Sequence, residues 1–190
     1  MAVKKTRDKR TLLYNPKRLY ITPYTNDTTL GTTTWSCQDV IRDSTTITQE
    51  DNTENPIENE LESTPIINNI QAGSYTFATE IGDLQPDLLV DLLGFKKDAT
   101  SKTTYAPDGY VEKFAKIEMV FQAGDTYRAV VLPKLQLSPT ITLDSMSTTI
   151  GRIALGGTAL TTEITDGSNK YQTPFYIVDE YTLPNETGGA

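Results

Sequence analysis

The side chains that could do chemistry are concentrated in one acidic stretch, residues 50–62, where six carboxylates fall within thirteen positions. Asp51 and Glu62 stand at positions 1 and 12 of a possible calcium loop of the EF-hand kind. Such a loop needs oxygen ligands at positions 3 and 5 and glycine at position 6. Position 6 is Pro56 and no helix pattern flanks the stretch, so calcium binding is disfavoured. The stretch is better interpreted as an exposed loop or protruding hairpin that its charge keeps soluble.

Candidates for catalysis are few. The chain has no histidine, so the usual general base and metal ligand is missing. Cys37 is the single cysteine, and it has no second cysteine or histidine for zinc, thiol catalysis or an internal disulfide. Carboxylate pairs for glycoside hydrolysis arise easily among twenty-five acids, and nothing marks one pair as buried. We therefore expect a protein that is not an enzyme and that uses no metal and no cofactor.

The charge is distributed unevenly along the chain. The net charge is −8, but residues 1–18 hold seven basic side chains against one acid, a charge of +6 that leaves −14 on the other 172 residues. Residues 1–18 could be a solvated tail, a nucleic-acid-binding arm, or an arm that docks onto the acidic segment of a neighbouring copy. The docking interpretation pairs Lys4, Lys5, Arg7, Lys9, Arg10, Lys17 and Arg18 with Glu50, Asp51, Glu54, Glu58, Glu60 and Glu62.

A strand, a turn and a short helix are predicted over residues 73–95. Bulky residues alternate with small or polar ones from Tyr75 to Ile81, which is typical of a half-buried strand. A helix over about residues 84–93 follows, with Asp83 as its cap, Pro86 in its first turn and Gly94 at its end. Its apolar stripe, which should pack on the sheet, is Leu84, Leu88, Leu89, Leu92 and Leu93.

Alternating apolar residues on both sides of Ala123-Gly124-Asp125 predict a long hairpin over about residues 115–131. Gly156-Gly157 is interpreted as a turn between strands at 151–155 and 159–164, and residues 174–178 as a last strand or a docking arm. About eight strands and one helix favour a mainly β fold, an antiparallel β-sandwich or barrel with one flanking α-helix and extended arms. The predicted parts are a basic arm (1–18), a β-sandwich domain (19–165) with an acidic loop (49–64), and a C-terminal extension (166–190).

Four segments together resemble the major tail tube protein of long-tailed bacteriophages. They are the acidic excursion at 45–66, the strand-turn-helix at 74–95, the hairpin and proline-bent strand at 116–143, and a closing strand at 151–161. The most specific element is the Asp-Leu-x-Pro-x-Leu-Leu pattern that begins at Asp83. The resemblance covers roughly residues 20–165; the N-terminal arm is more basic than the resemblance implies, and residues 166–190 have no counterpart.

The resemblance implies six copies per ring and rings stacked into a hollow tube. The strands of all copies would join into one barrel, with the long loop and the termini reaching between rings. A negative channel would conduct DNA without binding it specifically. The implied partners are other copies, a tape measure protein and a tail terminator, in a virion tail assembled in the host cytoplasm. The hairpin residues placed between subunits would be Ile117, Met119, Phe121, Tyr127, Ala129 and Val131.

Other functions fit the same pattern. A tail terminator, a connector, a capsid decoration protein, or a tube of a secretion or contractile injection system would share the fold. A carbohydrate-binding β-sandwich module is a further alternative. No apolar run is long enough to span a membrane and no secretory signal follows the basic N-terminus, so neither a membrane partner nor export is expected.

Overall fold

A computed structural model describes residues 16–37, 40–41, 43–59, 62–82, 85–142 and 151–184. Within these ranges the chain forms fifteen strands and one helix, so the prediction of about eight strands was too low. The elements are β1 (Arg18–Pro23), β2 (Trp35–Cys37), β3 (Thr46–Gln49), β4 (Thr53–Asn59), β5 (Glu62–Gln71), β6 (Tyr75–Ile81), α1 (Pro86–Leu93), β7 (Lys96–Asp98), β8 (Thr103–Tyr105), β9 (Phe114–Ala123), β10 (Thr126–Leu137), β11 (Thr140–Thr142), β12 (Arg152–Ala159), β13 (Thr162–Asp166), β14 (Asn169–Thr173) and β15 (Tyr176–Val178).

Nine of the strands form one antiparallel sheet in the order β2-β1-β9-β10-β12-β6-β3, with β11 beside β12 and β15 beside β10. The pairs β4–β5, β7–β8 and β13–β14 form separate two-stranded hairpins. The two ends of the sheet, β2 and β3, follow each other in the chain. The predicted mainly β, antiparallel sandwich with one helix is confirmed.

The sheet is covered by apolar packing on both faces around β1, β9 and β10. The main core joins inward residues such as Ile21, Ile117 and Leu132 to the helix residues Leu88 and Leu92. On the opposite face lies a second cluster, which we call the outer cluster, made of Tyr20, Val120, Ala129 and Val131. Strands buried on both faces lose the simple alternation of apolar and polar residues. For this reason Val120, which alternates with the main-core residues Met119 and Phe121, is also fully buried.

The helix begins at Pro86, two residues later than predicted, and Gln85 occupies the N-cap position assigned to Asp83. Proline suits the first helical position because the amide hydrogen that it lacks would have no partner there. Gly94 ends the helix with a φ of 74°, as predicted, since glycine enters the left-handed region without strain. Leu88 and Leu92 are buried and Leu89 and Leu93 partly buried in the main core, whereas Leu84 and Asp83 lie outside the described residues.

The predicted hairpin is β9–β10, and its turn is confirmed at Gly124, which has a φ of 67°. Both strands are interior strands of the sheet, because β9 lies between β1 and β10, and β10 is also bordered by β12 and β15. Its side chains have partners within the chain. The main core contains Ile117, Met119 and Phe121, and the outer cluster contains Ala129 and Val131 with Tyr127 packed against it. These side chains are therefore packed within their own chain, Tyr127 only partly.

The predicted turn at Gly156-Gly157 was wrong, because β12 runs straight through both glycines. Gly157 pairs with Phe77 of β6 on one side and Leu137 of β10 on the other. A Cβ atom at this position would lie 2.1 Å from the carbonyl oxygen of Gln136. The glycine is thus required by close approach of neighbouring backbone rather than by a chain reversal.

Replacing Gly157 with alanine is expected to lower the free energy of unfolding by about 3 kcal/mol, because backbone atoms must move to admit the methyl group. Gly156→Ala is the matched control, since its Cβ would lie 3.4 Å from the nearest atom, the Phe77 carbonyl oxygen. Urea unfolding of both variants measures the difference. Equal midpoints for the two variants would contradict the close-approach explanation.

The boundaries of the predicted arms lie inside ordered structure. Lys17 donates its backbone N–H to the Val120 carbonyl at 2.8 Å, and Arg18 is the first residue of β1. At the other end, the boundary at residue 165 falls within the β13–β14 hairpin. The predicted last strand is confirmed as β15, which pairs with β10. The C-terminal extension therefore joins the main sheet through β15, and residues 1–15 lie outside the described part of the chain.

Candidate assembly surfaces

The acidic stretch forms the outer half of one long hairpin. β3 pairs with β6, and β4 pairs with β5 in the same register, so the ladder runs from Thr46 opposite Ala78 to Ile57 opposite Ile67. Eleven steps at about 3.4 Å each make this ladder about 37 Å long. The first half belongs to the main sheet and the second half leaves it. We call the part formed by residues 50–73 the acidic arm.

The junction between sheet and arm is fixed by short-range contacts. Glu50 donates its backbone N–H to the Ser74 carbonyl at 2.9 Å, and the Ser74 hydroxyl donates to the Glu50 carboxylate. Gly73 donates its N–H to Asn52 Oδ1 at 3.1 Å. A Cβ atom on Gly73 would lie 2.0 Å from the Glu50 carbonyl oxygen, so only glycine fits there. The arm consequently continues the sheet at this junction without a break in register.

The arm carries most of the acids predicted for assembly. Glu50 and Asp51 lie at its base, Glu54 and Glu58 on β4 and Glu62 on β5, while Glu60 is outside the described residues. Residues 50–55 and 69–72 are exposed, including Ile70 at 56%. A two-stranded hairpin is marginally stable alone in water, and its outer edges are templates for further pairing. The arm therefore has the properties of a docking element.

Of the seven basic residues predicted to meet these acids, only Lys17 and Arg18 are described. Lys17 lies just before β1 and Arg18 is its first residue, where Arg18 Nη1 donates to the Tyr20 hydroxyl at 3.3 Å. The other five predicted docking partners, Lys4, Lys5, Arg7, Lys9 and Arg10, precede the described residues.

A second surface, the outer face of β1, β9 and β10, was missed as a site by the sequence reasoning. It is covered by residues 176–183, which we call the C-terminal strap. Tyr176, Val178, Tyr181 and Leu183 of the strap pack against the outer cluster. Three residue pairs, from Ala129 opposite Val178 to Val131 opposite Tyr176, attach the strap to β10. The available signal was the alternating Tyr176 and Val178, which predicted the strand but not what it covers.

A buried carboxylate holds the strap. Glu118 is 8% exposed, lies 2.9 Å from Lys116 Nζ, and accepts a hydrogen bond from the Tyr181 hydroxyl. The strap also donates the Tyr181 backbone N–H to the Tyr127 carbonyl at 2.9 Å. Burial first, and then the negative Glu118, raise the pKa of Tyr181 well above its ordinary value of 10.0. Burial likewise raises the pKa of Tyr176. Both phenols are thus kept neutral where they meet the carboxylate.

Alkaline pH should weaken this attachment. A raised pKa in the folded state means that the contribution of Tyr181 to stability is complete below pH 10.0 and is lost as the pH rises from there through the folded-state pKa. We expect the free energy of unfolding to fall more steeply above about pH 10 in the wild type than in Tyr181→Phe. Urea titrations at several pH values measure the slopes. Tyr171→Phe, on the exposed β14, should keep the wild-type slope, and a wild-type slope in Tyr181→Phe would contradict the assignment.

A cleft of about 310 Å³ is lined by Pro23, Tyr24, Gly31, Thr33, Asp91 and Lys113. Its polar groups serve the fold: Asp91 accepts from Trp35 Nε1 at 2.9 Å, and Tyr24 donates to the Pro133 carbonyl at 3.0 Å. Among the described residues, no three cysteine or carboxylate side chains come together where they could hold a metal ion. Within the same ranges, no helix is long and apolar enough to cross a membrane.

These features define a class: a mainly β antiparallel protein with a protruding acidic hairpin and a C-terminal strand docked on its sheet. Comparison with known proteins gives no matching family model and no matching curated protein. Among solved structures, the chain is similar to one chain of the "anti-feeding prophage (AFP) baseplate, 6-fold symmetrised". That alignment covers 89% of this chain and 97% of the other at 10% identity, with a TM-score of 0.41.

Proposed function

We propose that this chain is a structural, non-enzymatic protein of a phage-type tail that assembles with copies of itself. In the proposed assembly, six copies form a ring and the rings stack into a tube that conducts DNA. Its other partners are tail proteins of the tape measure and terminator kinds, and its location is the virion tail after assembly in the host cytoplasm. The proposal extends the resemblance seen in sequence to the surfaces described above.

The observation that carries the proposal is the acidic arm, which leaves the main sheet in unbroken register. A monomer gains little from a two-stranded arm of this kind, because a two-stranded hairpin alone is marginally stable in water and its outer edges are templates for further pairing. Contact with a neighbouring copy would stabilise it and close its edges. Identical copies repeat the same contact around a symmetric assembly.

We place the proposed contact between subunits at the edge strands of the sheet rather than at the hairpin side chains. The hairpin side chains predicted between subunits pack within the chain, whereas β2, β3, β11 and β15 each pair on one side only among the described strands. β3 is the strand that continues into the acidic arm. Joining β3 of one copy to an edge strand of the next would extend the sheet and leave the arm free to reach the adjacent ring.

The charge of the chain suits passage of DNA. Outside residues 1–18 the net charge is −14. An acidic wall repels the phosphate backbone, whereas a basic wall would retain DNA through release of its counterions. The basic residues Lys4, Lys5, Arg7, Lys9 and Arg10 would then meet the acidic arm of a copy in the next ring. Each exposed ion pair contributes about 0–1 kcal/mol, but the contact is repeated by every copy in a ring.

Negative-stain electron microscopy of the purified full chain tests the proposed function. Long tubes of uniform diameter are the expected result, and their formation should weaken at high salt because exposed ion pairs are screened. Rings that do not stack would favour a terminator or connector. Particles that stay monomeric at all concentrations would overturn the proposal.

A further inference from the structure

The outer cluster packs separately from the main core, and a single peptide segment, the C-terminal strap, covers it. Tyr20 and Val131 are 1% exposed, and Val120 and Ala129 are fully buried. None of these four residues belongs to the main core. The C-terminal strap could therefore leave the outer face without opening the main core, but the exposed apolar surface would then need another cover.

The strap is connected to its own subunit at a defined point. Phe175, the residue before it, packs edge-on against Tyr75 with ring centroids 5.2 Å apart and contacts the main core. Beyond Phe175, the strap is held by the ladder to β10 and the Tyr181 bonds, and on the other side of the ladder by the ion pair of Asp179 with Arg128 at 3.3 Å. A hinge after Phe175 would free all of these contacts together.

The outer face recognises the strap by two kinds of contact. The backbone of residues 129–131 offers a strand edge, which accepts any extended segment. Glu118 adds selectivity, because this buried carboxylate, which is paired with Lys116 at 2.9 Å, also meets the hydroxyl of Tyr181 in the strap. The face is thus fitted to the sequence of residues 176–183, which every copy of the chain carries.

We propose that the outer face of β1, β9 and β10 is a strand-docking site that accepts the C-terminal strap of a second copy, so that neighbouring copies exchange straps. Every bond that the strap makes within one chain can form identically between two chains, which makes exchange of an identical element a low-cost route to association. A tethered segment competes with an effective concentration of millimolar order, so closely packed copies exchange where dilute copies do not. The proposal goes beyond tube formation, since two copies suffice for it.

Disulfide trapping between two differently labelled copies tests the exchange. Ala129→Cys in one sample and Val178→Cys in another, both with Cys37→Ala, place the two thiols opposite each other only when a strap crosses between chains. Mixed at about 1 mM and oxidised, the samples should give a covalent dimer that is absent at micromolar concentration. Ile177→Cys in place of Val178→Cys is the mismatched control, because adjacent residues of a strand point to opposite faces.

The double variant Ala129→Cys/Val178→Cys controls for geometry and should form the disulfide within one chain. If the double variant is oxidised and the mixed single variants give no more dimer than the mismatched pair, exchange does not occur. If the double variant itself fails to oxidise, the strap is not docked as described and the proposal also fails.

Adding Tyr181→Phe to the mixed variants should speed dimer formation several-fold, since the hydrogen bond to Glu118 is lost, whereas Tyr171→Phe should leave the rate unchanged. These outcomes are independent of whether tubes form.

Discussion

Replacing Leu92 with aspartate is expected to abolish the soluble folded state of the protein, and Leu88→Asp should do the same. The two side chains are 0% and 1% exposed and pack in the main core with residues from β1, β9 and β10. A charge placed there has no partner, and its cost of about 4–5 kcal/mol or more is comparable with the whole stability of a domain of this size. Circular dichroism and the soluble fraction after expression measure the effect.

Two control variants separate charge from loss of packing. Leu92→Ala removes the side chain without adding a charge and should leave a folded protein that is about 2–5 kcal/mol less stable. Asp87→Asn lies on the exposed side of the same helix, where it breaks only the ion pair with Lys97 at 2.6 Å. Its stability should change by less than about 1 kcal/mol. If the Leu92→Asp variant is soluble and folded, the helix does not cover the main core.

Removing the acidic arm is expected to stop polymerisation without unfolding the subunit. Asp51 and Gly73 are opposite each other in the register of the ladder, just beyond the hydrogen-bonded pair Glu50 and Ser74. Replacing residues 52–72 by Asn-Gly therefore closes the hairpin with a two-residue turn whose twist suits antiparallel strands. β3 and β6 stay paired, so the thermal midpoint should remain close to that of the wild type. Electron microscopy should find no tubes.

A second variant tests whether charge or length of the arm matters. Glu50→Gln, Asp51→Asn and Glu54→Gln together keep the arm at full length and remove three exposed acids. If the arm meets the basic residues of another ring, this variant should need a higher protein concentration to polymerise and should lose much of its salt dependence. Normal tubes from the truncated variant would overturn the role of the arm. If the salt dependence of polymerisation is unchanged in the neutralised variant, the arm contacts the other ring through its backbone and not through its charges.

Features that depend on local conformation could be predicted from the sequence. Gly124 and Gly94 both adopt positive φ, and the residue types around them defined the β9–β10 turn and the end of the helix. Pro86 marked the first turn of the helix, and the alternation from Tyr75 to Ile81 gave β6. Each of these signals acts within a few residues, so neighbours in sequence are sufficient to determine the result.

Features that depend on distant backbone could not be predicted in this way. Gly157 looked like a turn residue, and only the Gln136 carbonyl of a neighbouring strand explains why it lies inside β12. Val120 and Glu118 share the outer side of β9, yet their burial depends on a strap that comes some sixty residues later in the chain.

The sequence alone determined that this protein is a mainly β antiparallel structure with one helix, an acidic excursion and a final strand. Only the tertiary structure decided that the excursion continues the main sheet in register, that β9 and β10 are interior strands, and that the final strand covers the outer cluster. The physical reason is that an alternating pattern shows which residues share a face of a strand, while the partner of that face is chosen by long-range packing.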